Sequence, residues 1–267
     1  MKSKYTLENT FNKSQIVIDN GELISFIFEG TEIMHQKGDP GWGSTEIEMF
    51  PIIGPTKENN FTIATPKGIA KLDQHGILRA MEYVLVKETS NILSFSKVYK
   101  ANTSVRNPKF PQKSTQEFLD WPYDFEFTKT YQWVEGALRI TFDIHSEIDM
   151  PLMLGFHPAF KIYDTNISIG STESEKYSLD DVLLRGSSAL QVKNRNHVRV
   201  ENNGEVSLIL ETKGFSHFML WTEVKNMICI EPITFYPASV PEIELVKGFD
   251  KSNGHNTYEM IISPSLV

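Results

Sequence analysis

Apolar and polar residues alternate with a period of two along much of the chain, as strands with one buried face require. From 124 to 134, Phe125, Phe127, Tyr131 and Trp133 share one face, while Glu126, Thr128, Thr130 and Gln132 share the other. Glu135-Gly136 supplies a turn, after which Leu138, Ile140, Phe142 and Ile144 alternate with Arg139, Thr141, Asp143 and His145. The two runs predict a long antiparallel hairpin. Shorter strands are predicted at 15–19, 23–29, 92–99, 206–211, 218–221, 227–231 and 259–263. Turn signals such as Asp19-Asn20-Gly21, Glu29-Gly30 and Asn202-Asn203-Gly204 separate several of them. With no long amphipathic helix among them, these strands predict an all-β fold, a sandwich or a barrel. No repeat, low-complexity tract or Pro/Ser-rich linker marks a boundary, so residues 1–267 are expected to form a single domain. The polar stretch 102–113, with Pro108 and Pro111, is expected to be a long loop of the kind that carries binding groups on a β scaffold.

Of 267 residues, 40% are hydrophobic and 22% charged, enough apolar material for a sizeable core and unlike a disordered chain. The formal charge is -8 and no basic run appears, which argues against nucleic-acid binding, because that needs cations against phosphates. The N-terminus lacks the apolar core of a secretory signal. No window approaches the roughly 20 apolar residues of a membrane helix. A cytoplasmic protein without a membrane partner is expected. Cys229, the one cysteine, cannot form an internal disulfide or a thiolate zinc site by itself.

Four segments set polar groups among apolar residues beside glycine or proline: Phe50-Pro51-Ile52-Ile53-Gly54; Asp73-Gln74-His75-Gly76-Ile77-Leu78-Arg79; Met150-Pro151-Leu152-Met153-Leu154-Gly155-Phe156-His157-Pro158-Ala159-Phe160; and Met227-Ile228-Cys229-Ile230-Glu231-Pro232. Such placements hold a polar group where a strand ends and a pocket begins. Glu231 follows an apolar run, and burial would raise its pKa from about 4.3 and make it a better base near neutrality. Its plain alternative is a strand-terminal carboxylate in solvent. His157, extended by the proline after it, has an ordinary pKa near 6.5 and can supply a proton at physiological pH; its alternative is a buried imidazole bonded to a carbonyl. His75 has the same two readings, with Gly76 allowing close approach to its backbone. Arg79 is either a planar clamp for a hydroxyl, phosphate or carboxylate or a solvated charge.

These segments, in this order, resemble the aldose 1-epimerase family and, more closely, its galactose-mutarotase-like branch. The resemblance spans nearly the whole chain, from the strand at 23–28 through Phe50-Pro-Ile-Ile-Gly54, His75-Gly-Ile-Leu-Arg79, Met150-Pro151 and His157-Pro-Ala-Phe160 to Ile230-Glu-Pro232. It implies a large antiparallel β-sandwich. It also implies an enzyme that takes a proton from the anomeric hydroxyl with Glu231 and protonates the ring oxygen with His157, so that the sugar ring opens and recloses as the other anomer. His75 and Arg79 would bind the substrate; the branch with Arg79 includes hexose-phosphate epimerases. No cofactor or metal is implied, only a small-molecule sugar, with a monomer or homodimer as the assembly. Where many members carry arginine after the glycine of Phe-Pro-x-x-Gly, this chain has Pro55, and no acidic sugar ligand is assigned within 171–186.

Other classes are weighed beside it. A non-catalytic carbohydrate-binding module fits a β-sandwich with 11% aromatics but would not need both His157 and Glu231. His75, His157 and Glu231 would suit a facial metal triad, without the tight histidine spacing that marks one. A glycoside hydrolase needs two carboxylates about 5–10 Å apart, and Glu46 and Glu48 offer only neighbours on one strand face. Cys229, within an apolar run, is a poor nucleophile.

Overall fold

The alternating segment forms the hairpin its pattern predicts. Phe125–Val134 pairs with Ala137–Ser146 from Phe125 opposite Ser146 to Val134 opposite Ala137, across the Glu135-Gly136 turn. The structure, a computed structural model, describes residues 3–172 and 174–267. The hairpin lies in a nine-stranded antiparallel sheet, ordered Glu175–Ser178, Ser168–Thr172, His197–Asn203, Val206–Lys213, His255–Leu266, Ala137–Ser146, Phe125–Val134, Ile92–Tyr99 and Val84–Glu88. Its inward residues, among them Phe127, Tyr131, Ile140 and Phe142, are buried, and their polar alternates face outward.

A six-stranded sheet covers that inner face. It runs Leu190–Lys193, His217–Trp221, Met227–Ile233, Gly155–Phe156 and Glu48–Met49, with Ala159–Lys161 also paired to Met227–Ile233. Phe142 of the hairpin meets Phe156 of this sheet with ring centroids 5.0 Å apart, and Phe50 meets Phe125 edge-on at 5.0 Å. The fold is therefore a large antiparallel β-sandwich, one apolar core between two sheets. A four-stranded meander, Lys4–Asn9, Ser14–Asp19, Glu22–Phe28 and Thr31–Glu32, adds to that core.

The expected strands are present, several of them longer than their patterns. Met227–Ile233 continues past Glu231, and His255–Leu266 extends well beyond 259–263 in both directions. The loop at 102–113 contains a two-residue strand, Val105–Arg106, paired with Phe118–Leu119. Within 171–186 lies a five-residue helix, Leu179–Leu183, whose Ser178 and Asp181 form a capping box; Glu173 of that stretch lies outside the described residues. No helix among the described residues is long and apolar enough to cross a membrane.

Candidate active site

Glu231 stands in Met227–Ile233 of the six-stranded sheet, and His157 lies beside it in the two-residue break between Gly155–Phe156 and Ala159–Lys161. Gly155 pairs with Ile233 and Ala159 with Cys229, and the register between these pairs sets His157 opposite Glu231. On its other side His157 donates its amide to the Ile47 carbonyl at 2.9 Å and accepts the Ile47 amide at 3.3 Å. In an antiparallel sheet, a residue hydrogen-bonded to one neighbour is non-hydrogen-bonded to the other, where facing side chains approach more closely. His157 Nε2 accordingly lies 3.4 Å from Glu231 Oε1. Glu231 sits inside its strand and not at the end expected from Pro232, because pairing continues through Ile233 to Gly155 and His217. Trp42 lies over the His157 ring at 4.4 Å between centroids, and Trp221 meets it edge-on at 5.8 Å.

His75 reaches the same place from a loop knitted to Phe50-Pro-Ile-Ile-Gly54. Phe50 donates to the His75 carbonyl at 3.2 Å, His75 to the Gly54 carbonyl at 3.2 Å, and Ile77 to the Phe50 carbonyl at 2.9 Å. His75 and Gly76 both take left-handed conformations, at φ 69 and 73. A Cβ on residue 76 would stand 2.1 Å from the Phe50 carbonyl oxygen, so glycine is required there. The His75 and His157 rings meet edge-on at 5.9 Å. Pro55, at the position of the missing arginine, is exposed.

Arg79 is a largely buried cation, not a solvated one, with its side chain 14% exposed. Its counterion, Asp73, accepts from Asn107 Nδ2 at 2.7 Å and from the Gln74 amide at 2.6 Å. Arg79 Nη2 and Lys109 Nζ stand 3.9 and 3.7 Å from the same Asp73 oxygen. Two cations thus share one carboxylate. Asn107 and Lys109 come from the 102–113 loop.

Burial governs the protons. It pushes His157 down to about 3, opposed by a backbone hydrogen bond and reinforced by the Arg79 charge. It holds His75 well below its ordinary range, aided by the His157, Arg79 and Lys109 charges. It pushes Glu231 well above the ordinary carboxylate range. The upward shift at Glu231 follows the sequence expectation, whereas His157 leaves the range near 6.5 because its charged form loses water. Burial thus disfavours the charged form of both members of the pair. Nδ1 of His75, Nδ1 of His157 and Nη2 of Arg79 are covered yet have no hydrogen-bond partner. Leaving such an atom unpaired costs about 1–3 kcal/mol, so this corner suits a ligand rich in polar groups.

His157, Cys229 and Glu231 place one donor atom each within 4.8 Å of one another, the one such group found among the described residues and the set that could hold a divalent cation. The His75, His157 and Glu231 set is not brought that close. Burial, then the Glu231 and Glu223 charges, push the Cys229 thiol well above its ordinary value, which leaves it unreactive. Glu46 and Glu48 are both buried and both paired with Lys129. A cavity of about 490 Å³ opens beside Arg79, walled in part by Glu46, Glu48, Lys97 and Lys129; His157 and Glu231 do not line it. Sequence reasoning gave no role to Trp42, Asp73, Lys109 or Lys129, of which Asp73 stood in a candidate segment and Lys129 left a signal as a charge in phase with Phe127 and Tyr131.

The sequence profile of the family described as aldose 1-epimerase matches residues 56–207, more than half of the chain. No curated protein matches it in sequence. Among solved structures, a galactose mutarotase related enzyme from Lactobacillus acidophilus is similar with a TM-score of 0.78 at 19% identity, covering 98% of this chain and 97% of that one. A galactose mutarotase-like protein from Lactobacillus casei gives 0.75 at 15% identity, covering 99% and 100%. Another from Clostridium acetobutylicum gives 0.67 at 14% identity, covering all of both chains. At these identities the likeness shows the fold; with the profile match added, the chain belongs to the aldose 1-epimerase family.

Proposed function

We propose that the protein interconverts the α and β anomers of an aldose, with Glu231 as the base at the anomeric hydroxyl and His157 as the acid at the ring oxygen. The observation that carries this reading is the buried pair itself, Nε2 3.4 Å from Oε1, with His75 and Arg79 beside it. Ring opening needs a base and an acid at once; in this reading the pair carries one proton, held by Glu231 before the sugar binds. Sugar hydroxyls donating to Glu231 stabilise its carboxylate and pass that proton to His157. Glu231 then takes the O1 proton while His157 gives its own to O5, and the C1–O5 bond breaks to leave a free aldehyde. After rotation about C1–C2, His157 recovers the O5 proton and Glu231 returns one to O1, which closes the other anomer. Trp42 and Trp221 offer apolar walls for the C–H faces of the ring, and the unpaired nitrogens of His75 and Arg79 meet its hydroxyls. We read the chain as one domain, monomeric or homodimeric, working in the cytoplasm without a cofactor.

The test is anomer exchange followed by NMR or polarimetry with a panel of aldoses. Relaxation faster than buffer at micromolar protein supports the reading. Relaxation equal to buffer for every sugar, with saturable binding, moves it to a carbohydrate-binding protein. A second reading, a hexose 6-phosphate epimerase, is favoured by one observation: Arg79 and Lys109 share the single carboxylate of Asp73, which leaves a surplus positive charge beside the pair.

A further inference from the structure

We propose that Lys129 is a positioning residue for His157, acting from the opposite face of the sheet through Glu46 and Glu48; the proposal rests on the acid–base reading above. The amide and carbonyl of His157 both go to Ile47, and Pro158, next along the chain, has no amide to give and adds only its carbonyl, which accepts from the Ile230 amide at 3.3 Å. Ile47 is therefore the residue whose position sets the His157 backbone on this edge. Glu46 and Glu48 flank Ile47, and strand alternation turns their side chains away from the His157 face and toward the nine-stranded sheet.

There Lys129 rises from the inner face of Phe125–Val134, 1% exposed, and donates to Glu46 Oε1 at 2.5 Å and also to Glu48 Oε1. Tyr131 donates its hydroxyl to the same Glu46 oxygen at 2.5 Å, and the Leu23 amide does so at 3.0 Å. Lys97 stands 3.7 Å from Glu48 Oε2 and is itself fixed by the Leu78 carbonyl at 2.9 Å. Burial by itself would lower the Lys129 ammonium, but the two carboxylates more than offset that and hold it above its ordinary value. One cation from the large sheet thus grips the residues on both sides of Ile47 and fixes the segment to which His157 is hydrogen-bonded. A charge in the apolar stripe of that hairpin serves stability poorly, since buried ionic sets can often be replaced by apolar or neutral groups without loss. Fixing the geometry of a reacting side chain is a use that does require it, because a displacement of about 1 Å can cost about 100-fold in rate.

The test separates positioning from support. Lys129→Met leaves two carboxylates facing each other in a dry site and is expected to destabilise the fold. Lys129→Met with Glu46→Gln and Glu48→Gln removes the charges on both sides of Ile47 and leaves Lys97, still bonded to the Leu78 carbonyl, as the one buried cation of the set, so a melting temperature between those of Lys129→Met and wild type is expected. In that triple variant we expect amide exchange at Ile47 and His157 to quicken by about tenfold or more, and kcat for anomerisation to fall by about 10- to 100-fold with KM changed by less than about threefold. Lys129→Arg, which keeps the charge, is expected to restore both readouts. Wild-type kcat in the folded triple variant, or unchanged exchange at those two amides, overturns the proposal. Should the triple variant not fold, exchange in the wild-type protein decides: Ile47 and His157 among the slowest amides supports the clamp, and exchange as fast as a loop overturns it. A wild-type protein that anomerises no sugar brings down the acid–base reading, while amide exchange still decides the clamp.

Discussion

His157 and Glu231 are direct cross-strand neighbours, bracketed by the pairs Gly155 with Ile233 and Ala159 with Cys229, and their side chains meet at 3.4 Å. At this distance the two side chains form one unit, and neither can be altered without changing the surroundings of the other.

The first consequence concerns the pair itself. Glu231→Gln and His157→Ala are each expected to slow anomer exchange by about 10²–10⁴-fold, the usual contribution of a positioned acid or base, with the β-rich circular dichroism spectrum unchanged. Exchange spectroscopy on the preferred aldose reads the effect. Turnover near wild type in either variant would remove that residue from its role.

Activity should depend on pH as a one-proton pair requires. A second proton enters only as pH falls toward about 3, where His157 charges, and it silences the base. The single proton leaves at the raised pKa of Glu231, well above the ordinary carboxylate value, and this removes the acid. The acid limb of kcat/KM is expected far below 6.5, and the alkaline limb above the ordinary carboxylate range. An acid limb with a midpoint between pH 6 and 7 would mean that His157 keeps an ordinary imidazole pKa and would contradict the one-proton pair.

Arg79→Ala should discriminate between substrates. If the sugar is phosphorylated, KM for the hexose 6-phosphate rises by about 10- to 100-fold, as expected for loss of a charge-assisted hydrogen bond, while the free hexose is affected less. Equal losses for both sugars would assign Arg79 to a hydroxyl instead. Lys109→Ala, tested in parallel, reports on the second cation against Asp73.

Gly76→Ala should cost at least about 2 kcal/mol, because alanine is strained at a left-handed φ and its Cβ would strike the Phe50 carbonyl. Chemical denaturation measures the loss. Stability equal to wild type would show that the His75 loop relaxes freely, contrary to its three backbone hydrogen bonds.

Much of the fold was legible in the sequence. The hairpin of Phe125–Val134 and Ala137–Ser146 is written in its alternation, because the period of two is a local property of any strand with one wet face. The four polar segments were legible as well, but not their roles: His157 and Glu231 each had an ordinary alternative, and only the resemblance to a family paired them. Lys129 was visible as a misfit in the apolar stripe, without any local sign of what it would meet. Asp73 and Lys109 lay within a segment and a loop that the sequence singled out, but their own roles carried no signal, since loop residues do not repeat.

The sequence by itself determined the strands, the all-β class and the residue types able to move a proton. Only the tertiary structure set His157 opposite Glu231, brought Arg79 and Lys109 onto one carboxylate, carried Lys129 from the other sheet to Glu46 and Glu48, and moved the His157 pKa down. The reason is physical: alternation is fixed by neighbours along the chain, whereas register, burial and charge pairing are fixed by groups far apart in sequence that meet only when the two sheets pack.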